Sequence, residues 1–320
     1  MKPFRCSNLV YIITLLALTS CQALKTTLPL SPSDIPATQT ATSTPLTPIA
    51  TMTAISLVPI WTSETGSNPN FLTVDQHGNV YLGDESSIRK YDPNGKLVSQ
   101  WGTPGKGEGQ FDGMTGIAVD NQGNVYIADF NNVRVQKFDS TGKFLSQWPT
   151  ELPIGPAGVA VDQQGNVYVA LHRTHDHYVQ KFDSNGKLLF AWGSTGSEDG
   201  QFGAGSRTGP TDVTIDSQGN VWVADPDNNR VQIFDPNGKF LEKWTRTEGY
   251  GPNQFSSPNS VVIDSQGNVY IGDCCRIQKF DSNGNFLVQW LVTGTVDNQG
   301  NIYSVDAGKH TINKLQQPSP

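Results

Sequence analysis

A strand-and-turn pattern that returns six times between residues 55 and 316 leaves this chain few architectures to choose from. Its fullest copy runs Gly116-Ile-Ala-Val-Asp120-Asn-Gln-Gly-Asn-Val-Tyr126-Ile-Ala-Asp129. It continues Arg134-Val-Gln-Lys-Phe138-Asp-Ser-Thr-Gly142-Lys-Phe-Leu-Ser-Gln-Trp148. Apolar and polar residues alternate with the period of a strand that buries one face, and Gly-Asn or Asn-Gly pairs interrupt the alternation. Each copy therefore predicts four consecutive antiparallel strands, A to D. The aspartate of the first turn recurs at Asp75, Asp120, Asp162, Asp216, Asp264 and Asp297, and the B-strand aromatic at Tyr81, Tyr126, Tyr168, Trp222, Tyr270 and Tyr303. Units of this size bury a core only by stacking on one another. The expected fold is all-β, a six-bladed β-propeller over residues 55–316 followed by a tail, 317–320. The 32 glycines and 20 prolines suit a chain of short strands and many turns.

The sixth copy ends at Leu315 without a C-to-D glycine turn or a D strand. Ser56-Leu-Val-Pro-Ile-Trp61 matches Lys96-Leu-Val-Ser-Gln-Trp101, and Trp61 precedes Asp75 by the same interval as Trp148 precedes Asp162. The N-terminal strand is thus expected to complete the last blade and close the ring, which removes an open sheet edge. Pro59 is tolerable there because a D strand is outermost. The connection between Trp290 and Asp297 is much shorter than its counterparts, so either strand A of the last blade is shortened or the rim gapes.

The D-x-x-G-N-V-Y and A-D-x-x-N-N-R-V-Q-K-F-D signatures resemble NHL repeats, and the resemblance covers residues from about 55 to 315. It implies that partners and substrates meet the face carrying the B-to-C and D-to-A loops, or the mouth of the central channel. Some NHL-like propellers are enzymes whose histidine-ligated metals face that channel, with histidines drawn from several blades.

Ahead of the repeats, Met1-Lys-Pro-Phe-Arg5 is a basic start, and an apolar stretch from Leu9 to Leu18 is short for a membrane span. Residues 1–20 read as a signal peptide. Leu18-Thr19-Ser20-Cys21 resembles a bacterial lipobox, which implies a lipidated Cys21 and an exported, membrane-anchored lipoprotein on the extracytoplasmic side or cell surface. Residues 21–54 form the lipidated cysteine and a disordered Thr/Pro/Ser linker, with only Lys25 and Asp34 charged. Such a stalk reaches on the order of 100 Å when extended and about 30 Å as a coil. The formal charge of −7 grows more negative by two once a segment carrying Lys2 and Arg5 is removed, which disfavours nucleic acid as a partner.

Aspartate and arginine recur across the B-to-C turns as Asp84/Arg89, Asp129/Arg134 and Asp225/Arg230, and their repetition reads as structural ion pairs bracing each turn. Blade three replaces both with Leu171 and Tyr178 and inserts Leu171-His172-Arg-Thr-His175-Asp176-His177-Tyr178. His172, His175 and His177 could ligate a divalent metal such as zinc, with Asp176 as ligand or supporting partner. The other reading is a solvated polar loop; a surface loop outside the blade core also predicts that replacing the three histidines leaves stability nearly unchanged even where they serve function. Blade six keeps Asp306 but has Thr311 at the arginine position, which leaves Lys309 or His310 to serve its carboxylate. Blade five has Asp273-Cys274-Cys275-Arg276, a shortened turn with three open readings: a vicinal disulfide, two free thiols, or a metal site using Cys274 or Cys275 with His310.

The loop Gly102-Thr-Pro-Gly105-Lys-Gly107-Glu-Gly109-Gln-Phe111 is not a phosphate-binding loop, because no helix follows it. Kindred loops ending Gln201-Phe202 and Gln254-Phe255 mark it as a repeat element. Taken together, the residues suggest a surface-tethered, non-enzymatic scaffold that binds a protein, peptide or glycan through the B-to-C/D-to-A face. The alternative is a metal-assisted lyase or hydrolase on the same face.

Overall fold

The structure is a computed structural model that describes residues 58–64, 69, 71–150, 154–173, 176–203, 208–273, 276–306 and 309–316, with backbone alone for 58–64, 172–173, 176 and 316. The first strand in chain order is β1 (Val58–Glu64). Blade one follows with β2 (Phe71–Val74), β3 (Val80–Gly83), β4 (Ile88–Tyr91) and β5 (Leu97–Trp101). A loop holding β6 (Thr103–Pro104) and β7 (Gln110–Phe111) leads to blade two, β8 (Met114–Val119), β9 (Val125–Asp129), β10 (Arg134–Phe138) and β11 (Phe144–Pro149). Blade three is β12 (Pro156–Val161), β13 (Val167–Arg173), β14 (Asp176–Phe182) and β15 (Leu188–Trp192). Blade four is β16 (Asp212–Ile215), β17 (Val221–Asp225), β18 (Arg230–Phe234) and β19 (Phe240–Thr245). Blade five is β20 (Pro258–Ile263), β21 (Val269–Asp273), β22 (Arg276–Phe280) and β23 (Phe286–Trp290). Blade six begins with β24 (Gly294–Val296), β25 (Ile302–Asp306) and β26 (Thr311–Gln316).

The six sheets are each four-stranded and antiparallel, and the sixth has the order β1-β26-β25-β24. Ring closure by the N-terminal strand is therefore present: Thr62 pairs with Asn313 and Glu64 with Thr311, and Pro59 sits at a register shift on the outer edge. Of the two expectations for the short connection before Asp297, strand shortening holds. The inner strand β24 has three residues. Gly294 makes this possible, because a Cβ there would lie 1.9 Å from the Tyr303 carbonyl oxygen.

The A-to-B turn explains the D-x-x-G-N-V-Y signature atom by atom. In blade two, Asp120 Oδ1 accepts the backbone N–H groups of Gln122 and Asn124, while Oδ2 accepts the Asn124 side-chain amide and the Tyr126 hydroxyl. Gly123 takes the left-handed conformation that the turn requires, at φ +83°. The same four-bond arrangement recurs at Asp75, Asp162, Asp216, Asp264 and Asp297, with the Trp222 indole N–H replacing the tyrosine hydroxyl in blade four. Burial and the neighbouring carboxylate hold the tyrosine hydroxyls of blades one, two, three and six well above their ordinary range.

Core packing joins one blade to the next. Trp148 on the outer strand of blade two meets Tyr126 of its own blade edge-on and Phe182 of blade three. It also lies under the C-to-D turn of blade three, where any Cβ at Gly186 would come within 2.5 Å of the indole. Trp101, Trp192 and Trp244 repeat the contact with Phe138, Phe234 and Phe280.

Candidate functional site

The loop-bearing face is organised by three clamps. In blade two, Arg134 Nε donates to Asp129 Oδ2 at 2.8 Å, and the two side chains are 10 % and 0 % exposed. The rest of the guanidinium reaches into the loop that arrives from blade one, donating to the carbonyls of Lys106, Gly107 and Gln110. Gln136, two residues along the same strand and hence on the same side, donates to the Gln110 carbonyl and accepts from the Gly109 N–H. Asn132 takes the Gly105 carbonyl, and Asp129 Oδ1 accepts the Asp112 N–H at the loop's exit. Phe111 anchors that loop in the core.

Blade four repeats this set with Asp225, Asn228, Arg230 and Gln232 gripping residues 196–203. Blade five does so with Asp273, Arg276 and Gln278 around residues 249–256. The ion pairs of blades two, four and five thus do more than brace their own turns: each of these three pins a long incoming loop. Burial raises the Asp225 carboxyl despite bonds from Asn228, Gly203 and Arg230. Sequence reasoning missed the glutamines and asparagines, although the spacing Arg-x-Gln was their signal.

The absences in blades three and six follow from the same rule. Thr150 to Gly155 and Leu291 to Thr293 carry no Gly-rich loop ending in Gln-Phe of the kind the arginines of blades two, four and five hold. In blade three the inserted residues extend the B-to-C hairpin, with Leu171 opposite Tyr178, His172 opposite His177 and Arg173 opposite Asp176. The side chains of His172 and Asp176, and His175 altogether, lie outside the described residues. So do Cys274, Cys275 and Cys21. The side chain of His177 is fully enclosed rather than set in a surface loop, since its ring packs beneath Gly203, where an added Cβ would come within 2.7 Å. Tyr178 is half-buried. Asp306 has Lys309 as its partner at 3.2 Å, an exposed pair, and His310 is exposed in the left-handed conformation at φ +51°. Among the described residues, no three His, Cys, Asp or Glu side chains gather as a metal site.

The six inner strands that line the channel read FLTV, MTGIAV, PAGVAV, DVTI, PNSVVI and GTV, and the charged residue among them is Asp212. Its Oδ1 accepts the N–H of Val213 and its Oδ2 that of Val261 on the next blade. Burial pushes its carboxyl up to about 6, against the two amide bonds that favour the anion.

Residues 111–138 and 208–234 match the family model "NHL repeat", and both stretches take in strands A to C and end on the last residue of strand C, Phe138 and Phe234. The chain carries NHL repeats. The NHL propeller is 36% identical over 146 residues to the B-box type zinc finger protein ncl-1 of Caenorhabditis elegans, covering 46% of this chain and 17% of that protein. With NHL repeat-containing protein 3 of Mus musculus the identity is 29% over 194 residues, 58% of this chain and 38% of the relative. The chain thus spans less than two-fifths of the length of either relative. Among solved structures, a streptogramin B lyase superposes with TM-score 0.56 at 14% identity, covering 81% of this chain and 88% of that one. A protein of unknown function from Bacteroides caccae gives 0.54 at 17%, covering 71% and 82%. At these identities the structural likeness is one of fold, and function must be argued from the site.

Proposed function

We propose that this NHL propeller is a non-enzymatic recognition scaffold, tethered through a lipidated Cys21, whose B-to-C/D-to-A face binds a protein or peptide partner. The observation that carries the reading is the triple clamp. Long surface loops normally lose entropy on binding, and these three are already held by buried Asp-Arg-Gln sets. A preorganised loop surface suits recognition of a broad partner. The third clamped loop presents Tyr250, 58 % exposed, with its carbonyl fixed by Arg276, an aromatic of the kind that anchors interfaces. In ncl-1 the matching region is a small part of a longer chain, as suits a module that serves others.

The test is in-membrane crosslinking of the full chain from the loop face, followed by mass spectrometry, in wild type, Tyr250→Asp and Cys21→Ser. A protein crosslinked in wild type and lost in Tyr250→Asp, with Cys21→Ser shed from the membrane, is the expected result. A partner retained by Tyr250→Asp and crosslinked only from the opposite face would overturn the reading, and so would Cys21→Ser staying membrane-bound.

A further inference from the structure

The opposite face, where the A-to-B and C-to-D turns lie, carries a second feature, at the seam between blades two and three. Three other seams on this face are laced. Between blades one and two, Lys90 Nζ reaches across to the Ser140 carbonyl at 3.1 Å and the Gln76 amide to the Asn121 carbonyl at 2.9 Å. Between blades three and four, Lys181 Nζ reaches the Pro236 carbonyl at 3.1 Å. Between blades five and six, the Ser265 N–H reaches the Asn298 carbonyl.

At the seam of blades two and three both kinds of lacing fail. Asn121 stands where blade one has Gln76 and is one methylene shorter. Lys137 lies over the Tyr126 ring at 5.0 Å, as Lys90 and Lys181 lie over theirs, but among the described residues its ammonium donates to no carbonyl of blade three. What remains is a cleft of about 270 Å³ lined by residues that include Gln122, Lys137, Gln163, Gln164 and Asn185. This volume falls just below the usual range for small-ligand sites, about 300–1,000 Å³, which suits a ligand of one ring.

The wall chemistry narrows the ligand class. Asp120 and Asp162 line the cleft, so an anion would face two carboxylates; a cation would face the Lys137 ammonium. The amides of Gln163, Gln164 and Asn185 each offer a donor and an acceptor together, the pairing that a hydroxyl group, itself donor and acceptor, satisfies, while Gln122 Oε1 accepts from the Asn124 amide and leaves its own amide as a donor. We infer that the seam between blades two and three binds a neutral, hydroxyl-rich ring, a single sugar residue either free or at the end of a glycan. This site is independent of the partner-binding face and stands or falls separately.

The test titrates the full chain with the methyl glycosides of glucose, galactose, mannose and N-acetylglucosamine, with sodium phosphate and methylammonium chloride as charged controls. Binding is read by calorimetry and by tryptophan and tyrosine fluorescence. A parallel arm uses the same four sugars at the ends of immobilised glycans; binding in the first arm assigns a free sugar, and binding in the second alone a glycan terminus. Saturable binding of at least one sugar with Kd below about 10 mM is expected. It should weaken at least tenfold in Lys137→Met, which keeps the aliphatic stem over Tyr126, and in Gln163→Trp, which fills the cleft from an exposed turn. Both variants should keep the wild-type melting temperature. Absence of sugar binding in both arms, preference for phosphate or methylammonium, or sugar binding unchanged in Lys137→Met and Gln163→Trp would overturn the inference.

Discussion

Asp212 and Val261 are joined across the seam between blades four and five, the carboxylate Oδ2 accepting the backbone N–H at 3.0 Å. The aspartate therefore titrates as part of the ring. Its folded carboxyl lies at about 6 because burial outweighs the two amide bonds, and the ordinary value is 3.8. The folded state thus holds a proton that the unfolded state has released in the window between those values. By linkage this contribution to stability is fully present below about pH 4 and is lost as pH rises through about 6. Urea unfolding of wild type and Asp212→Ala between about pH 4 and 7 should give curves that diverge, with the wild type alone showing this decline. Parallel curves would mean that Asp212 titrates normally.

The buried pair Asp225 and Arg230, at 2.9 Å and no more than 4 % exposed, leads to a prediction about the clamps. Removing the arginine alone leaves a carboxyl at 0 % exposure facing loop carbonyls that have lost their donors. Arg230→Met should cost about 3–5 kcal/mol in chemical denaturation. Arg89→Met, whose pair with Asp84 is 13 % exposed on both sides, should cost clearly less. Equal losses would show that burial and the incoming loop do not set the strength of these pairs.

Much of this architecture was legible in the chain because the repeat writes its turn chemistry locally. Asp120, Asn124 and Tyr126 lie within seven residues of one another, so their bond set leaves a signature in sequence. Ring closure was also legible, from Trp61 and its spacing to Asp75. The clamps were only half legible: Asp129 and Arg134 are close in sequence, but the carbonyls of Lys106, Gly107 and Gln110 to which Arg134 donates lie more than twenty residues from it. Asp212 gave no signal at all, because its significance rests on a contact with a strand of the next blade, 49 residues on. The cleft beside Lys137 is likewise a failure of contacts between blades, which no single repeat records.

His177 reverses an expectation drawn from the sequence. A polar insertion suggests a surface loop in which histidines can be exchanged freely, yet this ring is 0 % exposed and packs beneath Gly203 on the clamped loop of blade four. His177→Ala should leave a cavity under that loop and cost about 2–4 kcal/mol, with a matching fall in melting temperature. A melting temperature unchanged from wild type would return His177 to the solvated class.

The closing strand provides the last prediction. Strand β1 pairs along its length with β26 as its outer partner in the sheet, from Val58 opposite Gln316 to Glu64 opposite Thr311. Deleting residues 58–64 strips a ladder of backbone hydrogen bonds from β26 and turns an internal strand into an open edge. Ile312 and Leu315 on β26 are buried, so loss of the neighbouring strand also uncovers apolar core that blade six shares with blades one and five. Because every blade stacks on two others, a weakened sixth blade should lower the stability of the ring as a whole. The truncated chain should unfold in a single transition at a melting temperature at least about 10 °C lower, and should self-associate through the exposed edge in a concentration-dependent way. Differential scanning calorimetry with light scattering checks both. A melting temperature within a few degrees of the full chain, with no association, would show that five blades and three strands are enough to hold the ring.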